Sequence, residues 1–168
     1  MQPLSSSSDR LAGRTHRLDS PGVRIPPPVI YAAAFVLGLL LQARFPLPFL
    51  VRPIALGLGG AIAALGALCI VMSIPTMLRG RGTLNTAGPS AALVVSGPYR
   101  FSRNPMYLGL TLLYAGVAVM LGVVWALLLV ILLVIYTQVR VIMPEERYLQ
   151  RAFGDDYRAY CSRVRRWL

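Results

Sequence analysis

The run Asn104–Val139, "NPMYLGLTLLYAGVAVMLGVVWALLLVILLVIYTQV", contains no charged residue. Read as one helix it would extend about 54 Å at ~1.5 Å per residue, well beyond the ~30 Å hydrocarbon core of a bilayer. A turn is therefore required. Gly122, in "VMLGVVW", is the natural break, and Trp125 beside it suits a membrane–water interface. The stretch is predicted to form a tight hairpin of two membrane helices, about 106–121 and 123–142.

Two further uncharged runs precede the hairpin. Ile25–Ala43 is rich in Ala, Val and Leu, with three prolines at its start to fix the entry of the chain. Pro53–Leu78 carries Gly57, Gly59, Gly60 and Gly66, small surfaces that allow close helix packing. Both runs are near the ~20 residues that a membrane crossing needs. The connection "FPLPFLVRP", 45–53, turns the chain between them.

Arginine placement orients these spans. Arg10, Arg14, Arg17 and Arg24 precede the first; Arg79, Arg81, Arg100 and Arg103 lie between the second and third; seven more follow from Arg140 onward. The opposite side holds only Arg44 and Arg52. Positive charge is retained on the cytoplasmic side, so an even number of spans is expected, with both termini and the middle loop cytoplasmic. The predicted fold is an all-α integral membrane protein with about four transmembrane helices, a C-terminal helical hairpin and a cytoplasmic amphipathic tail over 143–168. Residues 1–24 are expected to be a flexible cytoplasmic leader and not a signal peptide, since no apolar core follows their first charges. Residues 25–168 are expected to form a single membrane domain.

Composition agrees. Hydrophobic residues make up 56% of the 168-residue chain and charged residues 14%, against about 25% charged in soluble proteins. The net charge of +11 comes from arginines that flank apolar runs instead of forming a continuous patch, so lipid head groups explain it better than nucleic acid does. Cys69 and Cys161 have no metal-ligand spacing and sit at different predicted depths, which argues against a disulfide or a bound metal. The single histidine, His16, lies in the leader and offers no catalytic candidate.

Polar chemistry concentrates at two places. The loop 79–105 ends in "GPYRFSRNP", where Asn104 can cap a helix whose first residue is Pro105. Such a helix start, beside Arg100 and Arg103, suits a carboxylate or phosphate, and Tyr99 and Tyr107 could stack on or hydrogen-bond a flat ligand. Beyond the hairpin, Pro144 is expected to kink or end the fourth helix, and Glu145 and Glu146 follow at once. An adjacent acidic pair near hydrocarbon needs a positive neighbour. Tyr148, Leu149, Phe153, Tyr157 and Tyr160 then form a helical stripe among arginines, read as a surface-lying amphipathic helix broken at Gly154.

"LVVSGPYRFSRNPMYLG", followed after the hairpin by "EERYLQRAFGDDYRAYCSRVRRWL", resembles the isoprenylcysteine carboxyl methyltransferase family. The wider group includes the phospholipid N-methyltransferases, integral-membrane enzymes that use S-adenosylmethionine. The resemblance spans about residues 91–167. It implies cofactor contacts from Ala91, Ala92, Leu93 and Val94, from Tyr99, from the box Arg103, Asn104, Pro105, Met106 and Tyr107, and from Glu145. Two positions depart from the pattern. Asn104 replaces the histidine of the eukaryotic enzymes, and Val141 stands where an arginine associated with substrate is found, with Arg140 beside it as the substitute contact. No catalytic side chain is assigned, because in-line methyl transfer requires alignment and dryness but no protein nucleophile. The expected acceptor is apolar or lipid-linked (a carboxylate, amine or thiol), methylated at the cytoplasmic face of a bacterial inner membrane without a metal. A sterol-type reductase using NADPH has a similar box but carries a glutamate soon after the tyrosine, where this chain has Leu108, Gly109 and Leu110. A non-enzymatic lipid-binding protein is the remaining alternative.

Overall fold

The computed structural model describes residues 26–79 and 93–168; the leader, Ala91 and Ala92 lie outside the described residues. Among those described, the chain is helical without strands. Helix α1 spans Pro27–Arg44 and α2 Arg52–Arg79. A 3-10 turn, Gly97–Arg100, leads to α3, Pro105–Leu121, and the hairpin returns through α4, Val124–Thr137. A π-helical turn, Gln138–Ile142, joins α4 to α5, Met143–Arg163. The helices α1, α2 and the run beginning at α4 are long and apolar enough to cross a membrane, and α3 is a shorter apolar helix beside them.

Gly122 makes the predicted turn. Its φ of 66° lies in the left-handed region that glycine enters without steric cost. The Gly122 amide donates to the Val119 carbonyl at 3.1 Å and the Val123 amide to the Ala118 carbonyl at 2.9 Å, closing the helix end. The Trp125 indole donates to the Phe45 carbonyl at 2.7 Å, tying the hairpin tip to the α1–α2 connection.

Of the two outcomes expected at Pro144, a kink or an end, the helix does not end. Proline lacks an amide hydrogen and crowds the carbonyl four residues back, in the turn of Arg140. The chain widens there into π geometry, with the Met143 amide reaching the Gln138 carbonyl, and helix continues on both sides. The break at Gly154 is present, at φ 51° and ψ −116°.

Helix α2 packs along α3, α3 on α4, and α1 mainly against α4, whereas α1 and α2 scarcely touch. The α2–α3 contact is backbone-close. A methyl group built on Gly59 would lie 2.6 Å from the Gly116 carbonyl oxygen, and one on Gly109 2.8 Å from the Gly66 carbonyl oxygen. Gly57 and Gly60 meet nothing within 4 Å, so only half of the glycines noted in the second span serve this contact. Overpacking such a seam costs about 1–3 kcal/mol or more. Gly66→Leu is therefore expected to lower the detergent-solubilised protein's unfolding temperature by several degrees, with Gly57→Leu near the parent; equal effects would refute the packing assignment.

Between α1, α3 and α4 lies a core of Tyr31, Tyr114, Ala118, Val123, Ala126 and Leu133. Tyr31 and Phe35 meet the Tyr114 ring edge-to-face at centroid distances of 5.7 and 5.3 Å. Hydroxyls thread this core in one direction. Thr111 donates its only proton to the Tyr107 carbonyl at 2.8 Å, so Tyr31 donates to Thr111 at 2.9 Å and Thr137 to Tyr31 at 3.2 Å. The outward faces carry Leu40, Val71 and Leu132, 62–65% exposed, among other exposed apolar side chains, as a lipid-facing surface requires.

Candidate active site

The hairpin brings the starts of α3 and α5 to the same end of the bundle. Tyr107 and Glu145 are each the third residue of their helix, and the Tyr107 hydroxyl donates to Glu145 Oε2 at 3.1 Å. Gly97 opens the 3-10 turn against α2. Its φ of 58° is left-handed, and a Cβ there would lie 2.8 Å from Thr76 Oγ1 on α2.

The two adjacent glutamates have opposite surroundings. Glu146 is neutralised twice. Arg103 Nη1 reaches its Oε1 at 3.0 Å, and Arg166 forks onto it through Nε at 3.0 Å and Nη2 at 2.7 Å. Glu145 has no countercation among the described residues. Burial pushes its carboxyl up to about 7; the hydrogen bond from Tyr107 pulls it down, and the charge of Glu146 adds to the rise. Tyr99, on the 3-10 turn, is raised above the ordinary phenol value by burial first and by Glu145 second, so its hydroxyl stays neutral and able to donate.

Of the remaining residues singled out in the sequence, several are turned toward the chain itself. Asn104 occupies the position before α3 but makes no side-chain cap; its Nδ2 donates to the Arg166 carbonyl at 3.0 Å, and Ser102 Oγ accepts from the Asn104 amide at 3.1 Å. The Asn104 carbonyl still accepts from the Leu108 amide at 3.0 Å, but its side chain is turned away from the amides it would have capped, toward the segment that follows α5. Arg103 Nη1 also donates to Cys161 Sγ at 2.9 Å, while its buried Nε has no partner among the described residues. The Tyr99 hydroxyl approaches Met77 Sδ at 3.7 Å, and the Tyr99 carbonyl accepts from Tyr160 at 2.7 Å. Leu93 packs against a cluster of Tyr157, Tyr160 and Val164, joined by Leu149 and Phe153. The aromatic stripe of α5 is therefore buried against the loop rather than laid on an open surface. Val94 follows in irregular backbone; Pro105 is buried and Met106 half-buried at the head of α3. Arg140 is exposed on the π turn, and Val141 beside it is fully buried, so the two face different ways.

Residues 165–167 gave no functional signal in the sequence beyond a basic pair and a tryptophan. The Arg165 and Arg166 carbonyls find their partners some sixty residues upstream, at 102–104, a pairing without local periodicity to reveal it.

A sulfonium-bearing amino acid cofactor fits this donor set. Glu145 offers a buried carboxylate for a cationic group, Tyr99 and Tyr107 offer phenol faces, and Arg103 Nε keeps an unspent donor.

The fold defines a multi-pass helical membrane protein, with a cluster of buried polar groups at one end of its helices. The chain belongs to the phospholipid methyltransferase family, whose model matches residues 54–156, and is by that membership a membrane methyltransferase. An uncharacterized protein of Haemophilus influenzae is 43% identical over 63 residues, covering 38% of this chain and 100% of that relative. No solved structure matches the chain.

Proposed function

We propose that the protein transfers a methyl group from S-adenosylmethionine to an apolar or lipid-linked acceptor at the cytoplasmic face of the membrane. The observation that carries this is Glu145, a buried carboxylate held by Tyr107 and lacking a countercation among the described residues. Bound S-adenosylmethionine would supply a methyl on a sulfonium, attacked in line by an acceptor lone pair as the carbon–sulfur bond breaks. Glu145 and the two tyrosines orient and partly neutralise the cationic end, while the loop and α5 keep water away. A carboxylate acceptor cancels charge as it reacts, so a dry site favours that case. The resemblance to the isoprenylcysteine enzymes makes a prenylated cysteine carboxylate the first acceptor to assay, and a phospholipid amine the second. The arginine distribution supports the cytoplasmic placement.

Calorimetric titration of the solubilised protein with S-adenosylmethionine and with NADPH tests the reading. Binding of the first alone is expected; binding of NADPH alone would overturn it. Arg140 is exposed at the inner edge of the hairpin and, on this reading, would meet the polar group of an anionic acceptor. Arg140→Leu is expected to lose at least tenfold in turnover of a lipid-linked carboxylate with cofactor affinity unchanged, and Arg140→Lys to restore little, a point charge being a poor substitute for a fork. Full activity in Arg140→Leu would reduce Arg140 to an interfacial anchor.

A further inference from the structure

We propose that Arg166 is a positioning residue for the Glu145–Tyr107 pair, a role that rests on the cofactor reading above. Three parts of the chain meet at the segment after α5. The Arg165 carbonyl accepts from the Arg103 amide at 3.0 Å, and the Arg166 carbonyl from Asn104 Nδ2 at 3.0 Å and Ser102 Oγ at 3.4 Å. The Arg166 guanidinium holds both oxygens of Glu146, and the Trp167 indole donates to Gln138 Oε1 at 2.9 Å on the π turn. Arg166 thus joins the residue before α3 to the first turn of α5, the two helix starts that present Tyr107 and Glu145.

The coupling is geometric and electrostatic. Consecutive helix residues project about 100° apart, so a two-point hold on Glu146 sets the rotation at which Glu145 leaves the helix. The fork also offsets the Glu146 charge, which otherwise opposes ionisation of Glu145. The groups around Glu145 are Tyr107 on α3, Tyr99 on the 3-10 turn and Glu146 on its own helix, with Arg103 and Arg166 behind Glu146. Arg103 remains on Glu146 when Arg166 is removed, so the first turn of α5 keeps one ion pair and the variant is expected to fold.

The experiment uses full-length protein, its Arg166→Ala and Arg166→Lys variants, and Glu145→Gln as the spectral blank. Infrared titration of the Glu145 carboxyl without ligand and S-adenosylmethionine affinity across pH are both measured. In Arg166→Ala the Glu145 midpoint is expected to move up by on the order of one pH unit, and affinity to fall about tenfold even where Glu145 is ionised. Arg166→Lys keeps the charge but not the fork, so its midpoint should stay near the parent's while the high-pH affinity still drops. A merely structural role would lower stability in both variants without separating these two readouts. Parent-like midpoint and affinity in Arg166→Ala overturn the proposal. A shifted midpoint in a protein whose parent does not bind S-adenosylmethionine keeps the positioning role and sinks the cofactor reading instead.

Discussion

Glu145→Gln is expected to weaken S-adenosylmethionine binding by about ten- to a hundredfold while leaving the protein folded. The amide keeps the size of the side chain and can still accept the Tyr107 hydroxyl, so packing at the third position of α5 survives. What is lost is the charge facing the cofactor's cationic end, and a charge-assisted hydrogen bond is worth about 1.5–3 kcal/mol. The same site predicts a pH dependence. The free carboxyl holds its proton up to about 7, and a cation beside it favours the ionised form. Below that pH, binding must expel a proton, so affinity falls as pH falls; above it the carboxylate is preformed and affinity levels off. Between pH 8 and pH 6 the parent is expected to lose about tenfold, and Glu145→Gln to show no such slope. Titration calorimetry at the two pH values checks both. An unchanged affinity in Glu145→Gln would remove Glu145 from the cofactor site and leave it a buried partner of Tyr107.

Glu146→Leu is expected to be the most destabilising of the substitutions, at about 3 kcal/mol. The Arg103 and Glu146 side chains are only 15% and 14% exposed, and removing one partner leaves the other charge with too little water to replace it. Arg166, 42% exposed, can swing outward, so Arg103 carries most of the cost. The double variant Arg103→Met, Glu146→Leu should recover much of the loss, because no uncompensated charge is then left inside. The Arg158–Asp155 pair on the same helix is 64% and 91% exposed, and Asp155→Asn should stay within about 0.5 kcal/mol of the parent. Unfolding of the solubilised protein and the three variants, followed by thermal scanning, gives these values. A Glu146→Leu variant as stable as Asp155→Asn would mean that water reaches Arg103 freely.

The contrast between these two neighbours separates what was legible in the sequence from what was not. Hydropathy, one glycine and the length of a bilayer were enough to place the helices, the turn at Gly122 and the meeting of Tyr107 with Glu145, because a hairpin must return its ends to one side. Those features depend on backbone geometry and burial, which act over a few residues or over one helix length. Composition and spacing treat Glu145 and Glu146 as an equivalent acidic pair, and only the family resemblance singles out Glu145. Tertiary structure made one of them an ion-pair hub and left the other without a countercation among the described residues, since the arginines on Glu146 arrive from 103 and 166. The same holds for Asn104, which has the local signature of a cap but bonds to the Arg166 carbonyl, and for Gly59 and Gly66, which differ from Gly57 and Gly60 only in facing α3. Pro144 shows the limit from the other side: its clash with the preceding turn was foreseeable, and its relief by a π turn depended on the chain having a reason to continue, in the contacts that hold α5 against the head of α3. Helix positions were determined locally by the sequence; the identity of the free carboxylate was decided by which distant charges the fold brought within 3 Å of its neighbour.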